Sequence, residues 1–187
     1  VWIALGVAVI IGGALLYWAS LPQTVAAADV PAHQPDVKNG EILYHAGGCI
    51  SCHAPAKDAA GRDPNLPSGG APLATPLGAL HPPNITADKE TGIGNWSDAD
   101  FINAMTQGVS PKGENLIPAF PYTSYRHMTA AALIDLKAYL FSLPAVHAEN
   151  PDVGVPLPWF TRHGIGVWKR LALKNPPIGQ STTIDPG

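Results

Sequence analysis

From Val1 to Trp18 the chain is apolar or aromatic without interruption by charge, and the first ionisable acid is Asp29. A helix of about 20 such residues, rising ~1.5 Å per residue, crosses a bilayer core. Residues 1–21 are therefore expected to form a transmembrane anchor. Tyr17 and Trp18 stand at its end, where amphipathic rings favour the headgroup layer, and Gly12 and Gly13 would admit a neighbouring helix. The competing reading is a cleaved signal peptide, because TVAAAD offers an A-x-A site. The apolar run is longer than the usual signal core, which weighs against cleavage. Residues 22–36, rich in alanine and proline, read as a linker.

Beyond the linker the pattern predicts three helices. The first lies near Val37–Ala46. The second covers Asp98–Gln107, opened by Ser97 with Asp100 three residues on and closed by Gly108. The third, Ala130–Ser142, starts after Thr129, places Leu133, Leu136 and Leu140 on one face, and stops at Leu143-Pro144. Gly40 and Tyr44 of the first helix are expected to pack on Tyr139 and Leu140 of the last. Between them, Ala54–Asn95 has no sustained period and reads as a long loop. The fold class expected is all-α.

Composition narrows this picture. Of 187 residues 46% are hydrophobic and 13% charged, which suits one domain with an appendage. Glycine (19) and proline (20) favour loops. The net charge of −3 suggests no nucleic-acid partner. The two cysteines stand three apart, so neither is left for a disulfide.

Those cysteines carry the chemistry. Cys49-Ile50-Ser51-Cys52-His53 matches C-x-x-C-H, the attachment signature of c-type haem. Two thiols three residues apart in a tight turn reach both porphyrin vinyl groups, and the adjacent histidine swings beneath the iron as proximal ligand. A zinc half-site would need two more close ligands, and a redox dithiol a βαβ setting; the sequence offers neither. Because the thioether bonds form outside the cytoplasm, the motif also implies export. Two methionines compete for the sixth position, since a His/Met pair suits an electron carrier. Met105 shares a helix face with Phe101, which makes core packing its default. Met128 precedes the last helix, the usual origin of that ligand in small c-type cytochromes, and is preferred. Tyr122, Tyr125, Arg126 and Trp96 are candidate donors to the haem propionates, with ordinary packing as the alternative.

Further motifs carry a resemblance. GGCISCH, GG-x-PL-x-TPLG, HPPNIT, ETGIGNWSDADF, IPAFPYTSY and KAYLFSLPAV, spread over Asn39–Val146, resemble the cytochrome subunits of periplasmic membrane-bound alcohol, aldehyde and sugar dehydrogenases. VPLPWFTRHGIGVWKRL is similar to the connector after their first haem domain. Many of those subunits hold three haem domains, whereas this sequence has one C-x-x-C-H, which suits a single-haem relative or part of a longer chain. Phe120 stands where some members have a methionine, which strengthens Met128.

The resemblance implies a small class I cytochrome c-like domain at 37–146 with one covalent haem c wrapped by loops. It implies Cys49, Cys52, His53 and Met128 as haem-binding residues, with His53 and Met128 on the iron. It implies a non-enzymatic electron-transfer subunit in the bacterial inner membrane, its haem domain facing the periplasm. The partners implied are a catalytic dehydrogenase subunit and other membrane subunits, with electrons passing toward quinone or a terminal oxidase. A haem protein with an open distal site (a peroxidase or gas sensor) and a structural anchoring subunit are the alternatives. Residues 147–187 are expected to pack on a partner, the membrane surface or the haem domain, because Trp159–Lys174 mixes Trp159, Phe160 and Trp168 with Arg162, Lys169, Arg170 and Lys174.

Overall fold

The computed structural model describes residues 1–57, 59, 61–75, 78–149 and 159–173. Helix α1, Trp2–Ser20, is long and apolar enough to cross a membrane, and nearly all of it lies exposed. The helical body follows with α2 (Val37–Ala46) and the short α3 (Cys49–His53). Next come α4 (Asp98–Ile102), the single turn α5 (Tyr122–Tyr125) and α6 (Ala130–Ser142). Helix α7, Trp159–Ala172, closes the described part of the chain.

The predicted helix boundaries have visible causes. Asp36 accepts hydrogen bonds from the backbone N–H groups of Lys38 and Asn39 and so starts α2. Ser97 and Asp100 form the reciprocal capping box of α4. Thr129 caps α6 through the Ala132 N–H. Helices α2 and α6 cross with Gly40 pressed on the Asp135 carbonyl and on the Tyr139 side chain, where any Cβ would collide. The Tyr44 and Tyr139 rings meet at a tilt of 52°, with centroids 5.2 Å apart. Under this crossing Tyr44, Phe101, Ile102, Met105, Leu133, Leu136 and Leu140 form the buried core. Lys137 of α6 bonds Asp98 of α4 at 2.7 Å and fixes their relative positions at the rim.

Three features depart from the expectations. The helix from Asp98 does not stay α: Asn103–Gln107 widens into a π-helical turn, a form usually confined to single turns. Asn103 there turns its amide onto the backbone of Val25, accepting from its N–H at 2.7 Å and donating to its carbonyl at 3.0 Å. The all-α expectation is amended by a small antiparallel ribbon, β1 (Leu73–Thr75) with β2 (Gly78–Leu80), inside the Pro/Gly stretch. Finally, residues 22–36 do not hang free. Val25 is buried, and His33 and Asp36 both reach the Asp135 carboxylate, at 2.7 and 2.8 Å. Asn39 bonds its second oxygen at 2.8 Å, so a buried acid on α6 gathers the start of α2.

The HPPNIT stretch is held from inside. Asn84 is buried, donates to the Val146 carbonyl at 2.7 Å and to Thr91 at 3.0 Å, and accepts from the Thr86 N–H at 2.9 Å. This ties the long loop to the chain just past α6, and so fixes Pro82 and Pro83 on the way.

Candidate haem site

The site is built on a break between two helices. Helix α2 ends at Gly47, and Gly48 takes a left-handed conformation (φ 66°) that a residue without Cβ adopts freely. The chain therefore restarts at once as α3, and Cys49, Cys52 and His53 fall on a single short turn. Cys49 is half-buried and Cys52 exposed, and both are free thiols. Burial pushes the Cys49 thiol up to about 11, so the free group stays protonated.

His53 is oriented from behind. Its Nδ1 lies 2.7 Å from the carbonyl oxygen of Pro83, which fits a neutral ring that donates through Nδ1–H and leaves Nε2 as the free lone pair. Burial holds the imidazole pKa below its ordinary value, the hydrogen bond to Pro83 opposing in part, so the neutral, ligating form is favoured. The Gly69 N–H caps the His53 carbonyl at 3.0 Å, and Gly70 sits so close to the Cys52 carbonyl that a side chain would not fit. The loop thus clamps the turn through backbone contacts. Pro83, Gly69 and Gly70 were not foreseeable as site residues, because a carbonyl or an N–H carries no side-chain signal.

Opposite this turn stands α5. The Tyr125 hydroxyl donates to the Gly47 carbonyl at 2.9 Å and its ring lies beside the thiols, whose proximity, after burial, raises its pKa. Met128 follows one turn later, its N–H bonded to the Tyr125 carbonyl at 2.9 Å. Its side chain is half-buried and rests on the core cluster, as do Ile50, Ile85, Trp96 and Phe120. Met105 lies elsewhere in character: it is 6% exposed and part of the core itself, beside Phe101. Two thiols and an imidazole with one nitrogen tied back form the donor set, and Cys49 packs on the same core cluster as the partly exposed Ile50, Trp96, Phe120 and Met128, a setting that fits a covalently attached porphyrin.

The propionate candidates fare differently. Tyr122 is fully buried, its hydroxyl 3.4 Å from the Leu116 carbonyl, and burial raises its pKa to about 12. Tyr125 spends its hydrogen on Gly47. Arg126 is buried and lines a small cleft with Gln23, Thr106, Lys169 and Arg170, on the α7 side of the body. Trp96 packs on the core cluster. For Tyr122 and Tyr125, then, packing and backbone carbonyls take up the hydroxyls that are candidate propionate donors.

A helical frame around a C-x-x-C-H turn defines the class, and sequence similarity gives the family. The cytochrome c family profile matches residues 37–144, and the chain belongs to the cytochrome c family. It is 38% identical over 164 residues to a diheme cytochrome c-type protein of Cereibacter sphaeroides, covering 88% of this chain and 55% of that one. It is 39% identical over 145 residues to the gluconate 2-dehydrogenase cytochrome c subunit of Pantoea cypripedii, covering 77% and 32%. The fructose dehydrogenase cytochrome subunit of Gluconobacter japonicus is 34% identical over 142 residues, covering 75% and 28%. The chain thus spans about half or less of the length of these relatives.

Proposed function

We propose that this chain is a membrane-anchored electron-transfer subunit, with no chemistry of its own, in which Cys49 and Cys52 would attach one haem c and His53 and Met128 would ligate its iron. The observation that carries the reading is the His53 imidazole, on the same short turn as the two free thiols and tied through Nδ1 to the Pro83 carbonyl. When bound, haem c supplies a one-electron couple. The chain's own part is to hold the ring: the thiols fix its edge, His53 is pre-oriented, and the apolar lining around Met128 keeps water away and raises the potential. Met128 is preferred over Met105 because Met105 is already used in the core.

The named relatives are subunits of gluconate and fructose dehydrogenases. By analogy the electrons come from a periplasmic dehydrogenase's catalytic subunit and leave toward quinone or a terminal oxidase, with the 37–146 haem domain on the periplasmic face of the inner membrane. Helix α1 serves as an uncleaved anchor. In support, its last turn is built into the fold: Ser20 is buried and hydrogen-bonded to His163, and Arg170 donates to the Ala19 carbonyl at 3.1 Å.

The ligand assignment is tested by redox titration of two variants. Met128→Ala lowers the reduction potential and lets carbon monoxide bind the ferrous protein at once. Met105→Ala leaves the potential near that of the parent and costs roughly 2–5 kcal/mol of stability through a core cavity. Equal, small potential shifts in both would overturn the assignment.

A further inference from the structure

Helix α7 is amphipathic in the reverse of the soluble sense. A helix on a protein surface normally turns its apolar stripe inward and its charges to water. Here the cations point inward. Lys169 donates to the carbonyls of Gln107 (2.7 Å) and Gly108 (3.0 Å), Arg162 to that of Asn115 (3.1 Å), and Arg170 to that of Ala19 while lying 4.3 Å from the Trp18 ring. The outward positions are Phe160, Gly164, Trp168 and Leu171, spaced at i, i+4, i+8 and i+11 and therefore on one face. Phe160 is 68% exposed, Trp168 39% and Leu171 82%. A continuous apolar stripe of this kind calls for a cover.

Its surroundings indicate the cover. Gly166 is pressed on the Ser20 carbonyl, so α1 leaves the body along the flank of α7. The body fills the side of α7 that carries Arg162 and Lys169, which leaves the stripe facing away from the body, on a helix whose His163 and Arg170 touch the exposed Tyr17 and Trp18 rings of α1. Half-buried Arg170, over the Trp18 ring and bonded to the Ala19 carbonyl, places a positive charge at the body end of α1. We propose that α7 is an interfacial helix, its Phe160–Trp168–Leu171 stripe sunk into the surface of the anionic bilayer that α1 spans, so that it sets the height of the haem-bearing body above the membrane. This inference rests on the reading of α1 as an anchor.

The test uses the full-length holoprotein in vesicles of phosphatidylethanolamine and phosphatidylglycerol. A nitroxide is placed by cysteine substitution at Phe160, Leu171, Ile10 of α1 or the exposed loop residue Lys112. Its collisions with oxygen, which partitions into lipid, are compared with those of a water-soluble nickel chelate. Labels at Phe160 and Leu171 are expected to be oxygen-dominated like the one at Ile10, and the one at Lys112 chelate-dominated. Chelate-dominated labels at Phe160 and Leu171, with Ile10 still in lipid, would overturn the interfacial helix and leave the anchor standing. A chelate-dominated Ile10 would overturn both. Labels at Phe160 and Leu171 that are immobilised and shielded from both reagents would mean a protein cover instead, with dipolar broadening marking a second copy, and would likewise overturn it.

Discussion

Two helix crossings in this chain share one device and differ in everything around it. At α2–α6, Gly40 lies on the Asp135 carbonyl; at α1–α7, Gly166 lies on the Ser20 carbonyl. The first is ringed by buried side chains, Tyr44, Leu136 and Leu140, and by a carboxylate that takes three hydrogen bonds. The second is ringed by hydroxyl, imidazole and guanidinium contacts, and its apolar residues point outward. A glycine on a carbonyl therefore fixes closeness and says nothing about medium. What the neighbours do with their polar atoms tells whether the crossing was built to exclude water or, on the proposed reading, to meet lipid.

Filling the first glycine gives the largest effect. Gly40→Val drives a branched side chain into the Asp135 backbone and Tyr139, atoms that cannot swing aside. The cost is about 3 kcal/mol or more, and because α2 leads directly into the Cys49–His53 turn, the yield of haem-loaded protein falls with it. Absorbance at the Soret band against total protein, together with thermal unfolding, checks this. Unchanged loading and melting would show that the crossing is looser than its geometry implies.

Gly166→Val repeats the insult at the second crossing with a smaller and more local result. It pushes α7 off Ser20 and breaks the His163 and Arg170 contacts, while the core under α2 and α6 is untouched. Haem loading and the reduction potential stay at parental values, whereas limited proteolysis cuts the segment around α7 faster. A loss of haem as large as in Gly40→Val would mean that the two crossings are one cooperative unit.

The two crossings also differ in how legible they were. Gly40, Tyr44, Tyr139 and Leu140 were readable as a packing set because a small residue on one periodic stripe and large ones on another leave few alternatives. The caps at Ser97 and Thr129 and the C-x-x-C-H turn were equally plain, since capping and thioether chemistry both act between neighbours in sequence. The Asp135 hub was not: nothing local distinguishes a buried aspartate that gathers His33, Asp36 and Asn39 from a surface one. The π turn at Asn103 answers a contact with Val25, 78 residues away. Helix α7 showed its mixed composition but not its orientation, because amphipathicity separates two faces without saying which one turns inward. The Tyr122 and Tyr125 hydroxyls, available on paper for propionates, were claimed by carbonyls that only the fold brings near.

Acid sharpens the contrast at α2–α6. Burial alone would raise the Asp135 pKa, but the hydrogen bonds from Asp36, Asn39 and His33 outweigh it, and the net shift is downward. A carboxyl lowered on folding contributes stability that is complete above its ordinary value of about 3.9 and is lost as pH falls through the depressed native value. Asp135→Asn is expected to cost about 1–3 kcal/mol at neutral pH and to flatten the acid limb of the unfolding curve, which urea titrations at several pH values measure. An acid limb identical to that of the parent would place the titrating group elsewhere.

Alkali acts where α7 docks on the body, beside the other crossing, with the opposite sign and the smallest effect. Lys169 is held under α7 with its ammonium 5.5 Å from the Tyr122 ring, and burial pulls its pKa down to about 8. Between that value and the ordinary ~10.4 the undocked helix binds the proton more readily than the docked one, so docking strengthens as pH rises through this window. A nitroxide at the exposed Ala172 reports it: its motion slows from pH 8 to 10 in the parent and stays constant in Lys169→Met. Because the same ammonium also serves two carbonyls, a label that instead loosens with alkali would mean that these hydrogen bonds outweigh the burial of the charge, and that the cation itself holds α7 in place.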